Sequence, residues 1–225
     1  MIRQLKKKDT LWIVDFDYTL FDMYRFMDDL GVLLRREFGV SETTYKQSKV
    51  EVQNKELYSF ERHLRAIQKG TELSYQDAMR HVEALLKKSR RYFFSDALPF
   101  MREIAKKGEV VLLSHGHTLQ QRRKIKASGI EKYCDRVIIT STKAKKAEWI
   151  KKLAKGRRRV VVVNDDPDET LQICAALSVG KRTVAGVNAP HVILIERPGG
   201  KYFPIPPHKD YIVVKNLKEI HSLCN

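Results

Sequence analysis

Two carboxylates two residues apart close the first apolar run of the chain, Leu11-Trp12-Ile13-Val14-Asp15-Phe16-Asp17-Tyr18-Thr19-Leu20-Phe21-Asp22. Leu11 to Asp15 reads as a buried strand. In an open parallel sheet, ligands bind beyond the carboxyl ends of the strands, so Asp15 and Asp17 enter that crevice together. Their charges repel, and burying them is costly unless a cation neutralises them. A hard divalent ion with oxygen ligands does this, and Mg²⁺ is the usual choice when phosphate is the other ligand. Capping of a turn is the plain alternative for this pair taken alone.

A second acid-tipped strand weakens that alternative. Val160-Val161-Val162-Val163 runs into Asn164-Asp165-Asp166-Pro167-Asp168-Glu169. A helix N-cap employs one or two of these side chains, and the rest still need a role. Two acid-tipped parallel strands converging on one cation account for both runs. A third strand ends in Leu112-Leu113-Ser114-His115-Gly116-His117, a hydroxyl followed by a turn that can offer O–H and backbone N–H groups to a phosphate oxygen. A fourth is followed by Thr140-Ser141-Thr142-Lys143-Ala144-Lys145-Lys146. Lysines at a helix start oppose the helix dipole, so one of them could serve a nucleophile and a phosphoryl group. A solvated charged face is the alternative for each.

The elements that must position these residues follow from periodicity. Strands are expected at Leu11 to Asp15, Val110 to Leu113, Arg136 to Thr140, Val160 to Val163 and Arg182 to Ala185, with later candidates at Val192 to Ile195 and Tyr211 to Val214. Helical spacing covers Leu98 to Lys107, Leu119 to Ser128, Ala144 to Lys155 and Asp168 to Ser178, and a short closing helix covers Asn216 to Leu223. This alternation predicts an α/β fold with a doubly wound parallel sheet. It is interrupted once. Asp22 to Phe38, Glu42 to Lys69 and Ser74 to Arg90 read as helices with no strand between them. An α-helical insertion over residues 23–92 is expected, with residues 1–22 and 93–225 forming the catalytic core.

DFDYTLFD, LLSHG, the basic stretch before AEWI and VVVNDDPDE stand in the order of the four motifs of the haloacid dehalogenase (HAD) superfamily of phosphatases. The resemblance spans nearly the whole chain. The first motif is highly specific, the fourth moderately so, and the other two are confirmatory. The insertion resembles the superfamily's helical cap. The resemblance implies a HAD-like Rossmannoid core and a phosphoric monoester hydrolase that works through an aspartyl-phosphate. It makes Asp15 the nucleophile and Asp17 the general acid/base, a residue that separates phosphatases and mutases from dehalogenases. Asp15, the Asp17 backbone carbonyl and Asp165 match the Mg²⁺ ligands, with Asp166 or Glu169 supplying a further acid through water. Ser114 matches the phosphate-binding hydroxyl, alongside Phe16, His115 and a lysine. Lys146 is the preferred lysine, because Lys-Ala-Glu-Trp-Ile resembles the family's helix start; Lys143 and Lys145 are the alternatives. Two departures bear on the further acid: Asn164 stands where glycine is common, and Glu169 is longer than the usual aspartate.

The net charge of +16 favours acidic partners without choosing among them. Cys134, Cys174 and Cys224 are odd in number and widely spaced, so they suggest no disulfide framework or metal set. The sequence shows neither a signal peptide nor a membrane span, and a cytoplasmic location is expected. A small phosphorylated metabolite is the expected substrate, with Arg25, Arg62, His63 and Arg65 of the insertion as candidates for meeting a second anionic group. A polynucleotide end phosphatase is the less favoured reading. It would use Arg3 with Lys6 to Lys8, Arg122 to Lys124 and Arg157 to Arg159, but no aromatic platform accompanies these clusters. A phosphomutase would use the same nucleophile, and an inert binding protein would have no use for the intact acid set.

Overall fold

The computed structural model describes residues 10–177, 190–200 and 202–220. Among the described residues, six parallel strands form one sheet: β1 (Thr10–Val14), β2 (Glu109–His115), β3 (Arg136–Thr140), β4 (Arg159–Asn164), β5 (His191–Ile195) and β6 (Ile212–Val214). Their order is β3-β2-β1-β4-β5-β6. The chain winds outward from β1 to β3, returns to the other side of β1 with β4, and winds outward again. The direction reverses beside β1, and such a switch point leaves a crevice at the strand ends.

The strands are apolar on both faces because helices cover both. Their alternation divides the core in two. Trp12, Val14, Val110, Leu112, Val161 and Val163 face one cluster, while Leu11, Ile13, Val111, Leu113, Val160 and Val162 face the other. The register fixes the functional edge. Val14 pairs with Leu112 on one side and Val163 on the other. Asp15, Ser114 and Asp165 follow these three residues at the same end of the sheet.

Between β1 and α5 (Ala97–Lys107) lie four helices: α1 (Met23–Phe38), α2 (Glu42–Lys55), α3 (Phe60–Gln68) and α4 (Tyr75–Lys87). Their apolar faces, including Phe26, Leu30, Leu64, Ile67 and Val82, merge with Trp12, Val14 and Phe16 in one continuous cluster. The later helices are α6 (Thr118–Ser128), α7 (Lys143–Ala154) and α8 (Pro167–Leu177).

Two expectations are corrected. The single helix over Glu42 to Lys69 is two helices, because the chain extends at Glu56 and restarts at Ser59, whose hydroxyl accepts the Arg62 N–H at 3.2 Å. That N-cap turns Phe60, His63, Leu64 and Ile67 inward as a new stripe. The helix expected to reach Arg90 ends at Lys87, and a 3₁₀ turn over Ser89–Tyr92 carries the chain back to the sheet. In the loop after β5, Arg197 is buried. The strand expected at Arg182 to Ala185 lies outside the described residues, as does the end of the helix expected at Asn216 to Leu223.

Arg197 grips Asp96 with both terminal nitrogens, at 2.9 and 3.0 Å, and donates to the Thr19 carbonyl at 2.6 Å. Its guanidinium lies 4.0 Å from the Phe94 ring, and Asp96 also accepts the Leu217 N–H at 2.8 Å. One bidentate pair therefore ties the loop after β1 to two distant segments, a use that suits the fork of arginine better than the point charge of lysine. Arg197→Met would leave Asp96 buried and unpaired. It is expected to cost roughly 3–5 kcal/mol in urea unfolding, and a loss below about 1 kcal/mol would reduce the pair to a surface-type contact.

Candidate active site

The nucleophile loop is a tight backbone turn. The Leu20 and Phe21 N–H groups both donate to the Phe16 carbonyl, and the Tyr18 N–H donates to the Phe21 carbonyl at 2.7 Å. Tyr18 adopts φ 59°, a left-handed conformation that costs a non-glycine residue of order 1–2 kcal/mol. The strain is held by the stacked Phe16 and Phe21 rings, 5.2 Å apart beneath the loop. Asp15 is fixed at the strand tip, its N–H donating to the Val163 carbonyl at 3.0 Å.

Asp15 and Asp165 meet here. Asp165 feels the charge of Asp15 and accepts a hydrogen bond from the Thr19 hydroxyl at 3.4 Å. Burial, opposed by Lys146, pushes the Asp15 carboxyl up to about 6. Burial and the neighbouring Asp15 hold Asp165 well above the usual carboxylate range. Asp15 Oδ1 is buried without a well-aligned hydrogen bond, although the Lys146 ammonium is 3.2 Å away.

Lys146 is almost wholly buried. Its Nζ contacts Glu169 Oε2 at 2.5 Å and Asn164 Oδ1 at 2.9 Å, besides Asp15. Burial works against its charge, but Asp15 and Glu169 hold the ammonium above the usual lysine range. The three candidate lysines thus separate. Lys146 turns inward, Lys143 pairs with Asp166, and Lys145 is exposed. Asn164, the departure from glycine, is fully buried and bridges Lys146 to the Thr170 hydroxyl. Neither further acid is idle: Glu169 pairs with Lys146, while Asp166 receives Lys143 and the Tyr202 hydroxyl and caps α8 at the Glu169 N–H. The Phe16 N–H is directed at the Asp15 carboxylate.

Asp17 sits beside this cluster, between partners that the sequence reading did not single out as site residues. Lys124 contacts both of its carboxylate oxygens at 2.6 Å, and Gln121 donates to Oδ2 at 2.7 Å. Gln121 also donates to the Ser114 hydroxyl at 2.9 Å and the His115 carbonyl at 3.0 Å. Lys124 is 1% exposed and lies over the Phe16 and Phe21 rings. It was read as part of a surface basic cluster with Arg122 and Arg123, but it points inward. One signal could have exposed it: Gln121 and Lys124, three residues apart, share one face of α6 with the buried Ile125 and Ser128. Gly116 (φ 148°) makes the turn after β2, where a side chain would press on Gln121. Burial lowers the His115 imidazole below its usual range, which favours a neutral ring.

Above Asp17 lies a pocket of about 180 Å³, lined by His115, His117, Gln121 and Lys124 from the sheet side and by Met23, Met27, Lys49, Gln53 and Tyr58 from the helical insertion. The candidates proposed for a second anionic group are not in this lining. Arg62 pairs with Glu56, Arg65 covers Tyr75, Arg25 lies toward Tyr92, and His63 is buried between Tyr58 and Tyr45.

Among the described residues, no three acidic, histidine or cysteine side chains gather as a metal cage, and no helix is long and apolar enough to cross a membrane. The donor set still suits Mg²⁺. Two adjoining carboxyls repel each other, one oxygen lacks a well-aligned partner, and Mg²⁺ usually takes one or two carboxylates and keeps several waters.

The fold matches solved structures along almost their whole length. A haloacid dehalogenase-like hydrolase from Burkholderia xenovorans is 22% identical with a TM-score of 0.65, over 96% of each chain. The fold is that of the HAD-like hydrolases. The HAD-hydrolase YfnB of Bacillus subtilis, solved bound to magnesium, is 12% identical with a TM-score of 0.62, over 98% of this chain and 100% of its own. A β-phosphoglucomutase from Thermotoga maritima is 12% identical with a TM-score of 0.60, over 95% and 97%. Comparison with family models finds no match, and comparison with curated protein sequences finds none.

Two outcomes test the electrostatics. The folded Asp15 titrates near 6, against about 3.9 for an unfolded aspartate. Folding favours the protonated form, so its stabilising contribution is full below about pH 4 and lost as the pH rises through about 6. Asp165 acts in the same direction. A cation held by both carboxylates relieves their repulsion only where they are ionised. Added Mg²⁺ should therefore raise Tm more at about pH 7.5 than at about pH 5; equal shifts would place Mg²⁺ elsewhere. Lys146→Met should cost roughly 3–5 kcal/mol at neutral pH, with the deficit shrinking on acidification, as followed by chemical denaturation at several pH values.

Proposed function

We propose that this chain is a Mg²⁺-dependent phosphatase that hydrolyses the phosphomonoester of a small metabolite through an aspartyl-phosphate on Asp15. The observation that carries the reading is the buried meeting of Asp15, Asp165 and Lys146 at the strand tips, with Asp17 next to them at a small pocket. Asp15, the Asp17 backbone carbonyl and Asp165 would hold Mg²⁺, which when bound neutralises charge on the phosphoryl oxygens.

The chain's own residues supply the rest. A carboxylate oxygen of Asp15 attacks phosphorus as the ester P–O bond breaks. Asp17 gives its proton to the leaving oxygen and then takes one from the water that hydrolyses the aspartyl-phosphate. Lys146 keeps Asp15 ionised and is placed to meet a phosphoryl oxygen. Ser114 is held by Gln121 where its hydroxyl can do the same. Gln121 thereby couples the orientation of Asp17 to that of Ser114. The helical insertion, acting as a cap over residues 23–92, would close the pocket and exclude water.

The pocket supports a small substrate over a polymer, since about 180 Å³ is below the roughly 300–1,000 Å³ of sites for drug-sized ligands. The inward turn of Lys124 and the pairing of Arg123 with Glu61 and of Arg157 with Glu109 also reduce the cationic track available to a nucleic acid. Hydrolysis of p-nitrophenyl phosphate with Mg²⁺ is the expected activity. Asp15→Asn should lower it by at least about 10³-fold while leaving the circular dichroism spectrum unchanged. Wild-type rates in that variant would remove Asp15 as the nucleophile.

A further inference from the structure

The pocket above Asp17 contains a cation that the proposed chemistry does not use. Helix α2 contributes Lys49, half-buried, and Gln53 to its lining. No ion pair to Lys49 forms among the described residues; Asp28, on α1 and exposed, is the acid whose field it feels. Burial lowers its ammonium below the usual lysine range, only partly offset by Asp28. The other cation in the pocket, Lys124, is already taken by Asp17. His115 is held toward its neutral form, and no arginine among the described residues lines the cavity. His117 adds a buried Nδ1 without a hydrogen-bond partner. Among the described residues Asp17 is the only acid in the lining, and it is matched by Lys124. With Asp17 ionised, the described lining therefore has one cation without an ion pair, Lys49, which faces the pocket from the side opposite the sheet.

We infer that the substrate is a short phosphomonoester carrying a single carboxylate at the end remote from phosphorus, and that Lys49, with Gln53 beside it, receives that carboxylate. This rests on the phosphatase reading above for the phosphoryl end of the site. One ammonium is a point charge that matches one monoanion, whereas a second phosphate is better matched by an arginine fork or several cations. The small volume suits a short link between the two ends better than a nucleoside. A half-buried cation that loses its counter-ion pays a desolvation penalty, which is how a polar pocket rejects a neutral analogue.

The test compares 3-phosphoglycerate with glycerol 3-phosphate, which differ at the far end by carboxylate against hydroxymethyl. Both are titrated calorimetrically into the full-length Asp15→Asn protein with Mg²⁺, where turnover does not interfere. The acid is expected to bind at least about tenfold more tightly. Adding Lys49→Gln should reduce that preference to within about twofold, and Lys49→Arg should restore most of it. Equal affinity for the two compounds, or a preference that survives Lys49→Gln, would overturn the assignment. Hydrolysis of p-nitrophenyl phosphate by the wild-type protein is scored separately. Its absence removes the phosphatase reading, whereas its presence with equal affinities removes only the role of Lys49.

Discussion

The structure is organised around a cost, the burial of like charges at the end of a parallel sheet. Burial raises both Asp15 and Asp165, and the Asp15 charge raises Asp165 further. Lys146, from α7, partly offsets this and is itself kept charged by Glu169. No member of this set is stable in its ionised form alone, because an unpaired charge in a low-dielectric interior loses several kcal/mol of hydration. The cluster exists because the fold forces the carboxylates together, and the fold tolerates it because each charge has a partner or a place for a cation.

The rest of the site serves that arrangement at one remove. The left-handed turn at Tyr18 and the stacked phenylalanines hold the loop that carries Asp17. The Arg197–Asp96 pair reaches the same loop from the far side through the Thr19 carbonyl. Gln121 and Lys124, on one face of α6, settle where Asp17 points and link it to Ser114. A side chain whose rotamer is set by such contacts is pre-organised, which is how a fixed scaffold stabilises developing charge without reorganising. The helical insertion closes the opposite wall. Its apolar cluster is continuous with the sheet, while α2 delivers polar groups to the pocket. Core and insertion thus share packing on one face and divide the pocket between them on another.

Much of this was legible in the chain. Short unbroken apolar runs ending in acid mark β1 and β4, and three- and four-residue spacing marks α5 to α8, because strands covered on both faces and amphipathic helices impose those patterns directly. The acid at two strand tips is legible in the same way. Local pattern also misled. The break at Ser59 carries no glycine or proline to mark it, and nothing near Lys124 in sequence announces Asp17, 107 residues away.

By itself, the sequence determined the α/β alternation, the acid-tipped strands and the residue types able to work on a phosphate, since these depend on periodicity and side-chain chemistry within a few positions. Only the tertiary structure decided which lysine of Lys143, Lys145 and Lys146 faces Asp15, that Lys124 and Gln121 attend Asp17, and that Lys49 lines the pocket in place of Arg25, Arg62, His63 or Arg65. The physical reason is the range of the interaction. Burial patterns are written along a single element, whereas an ion pair depends on distances between elements that only packing brings within a few ångströms.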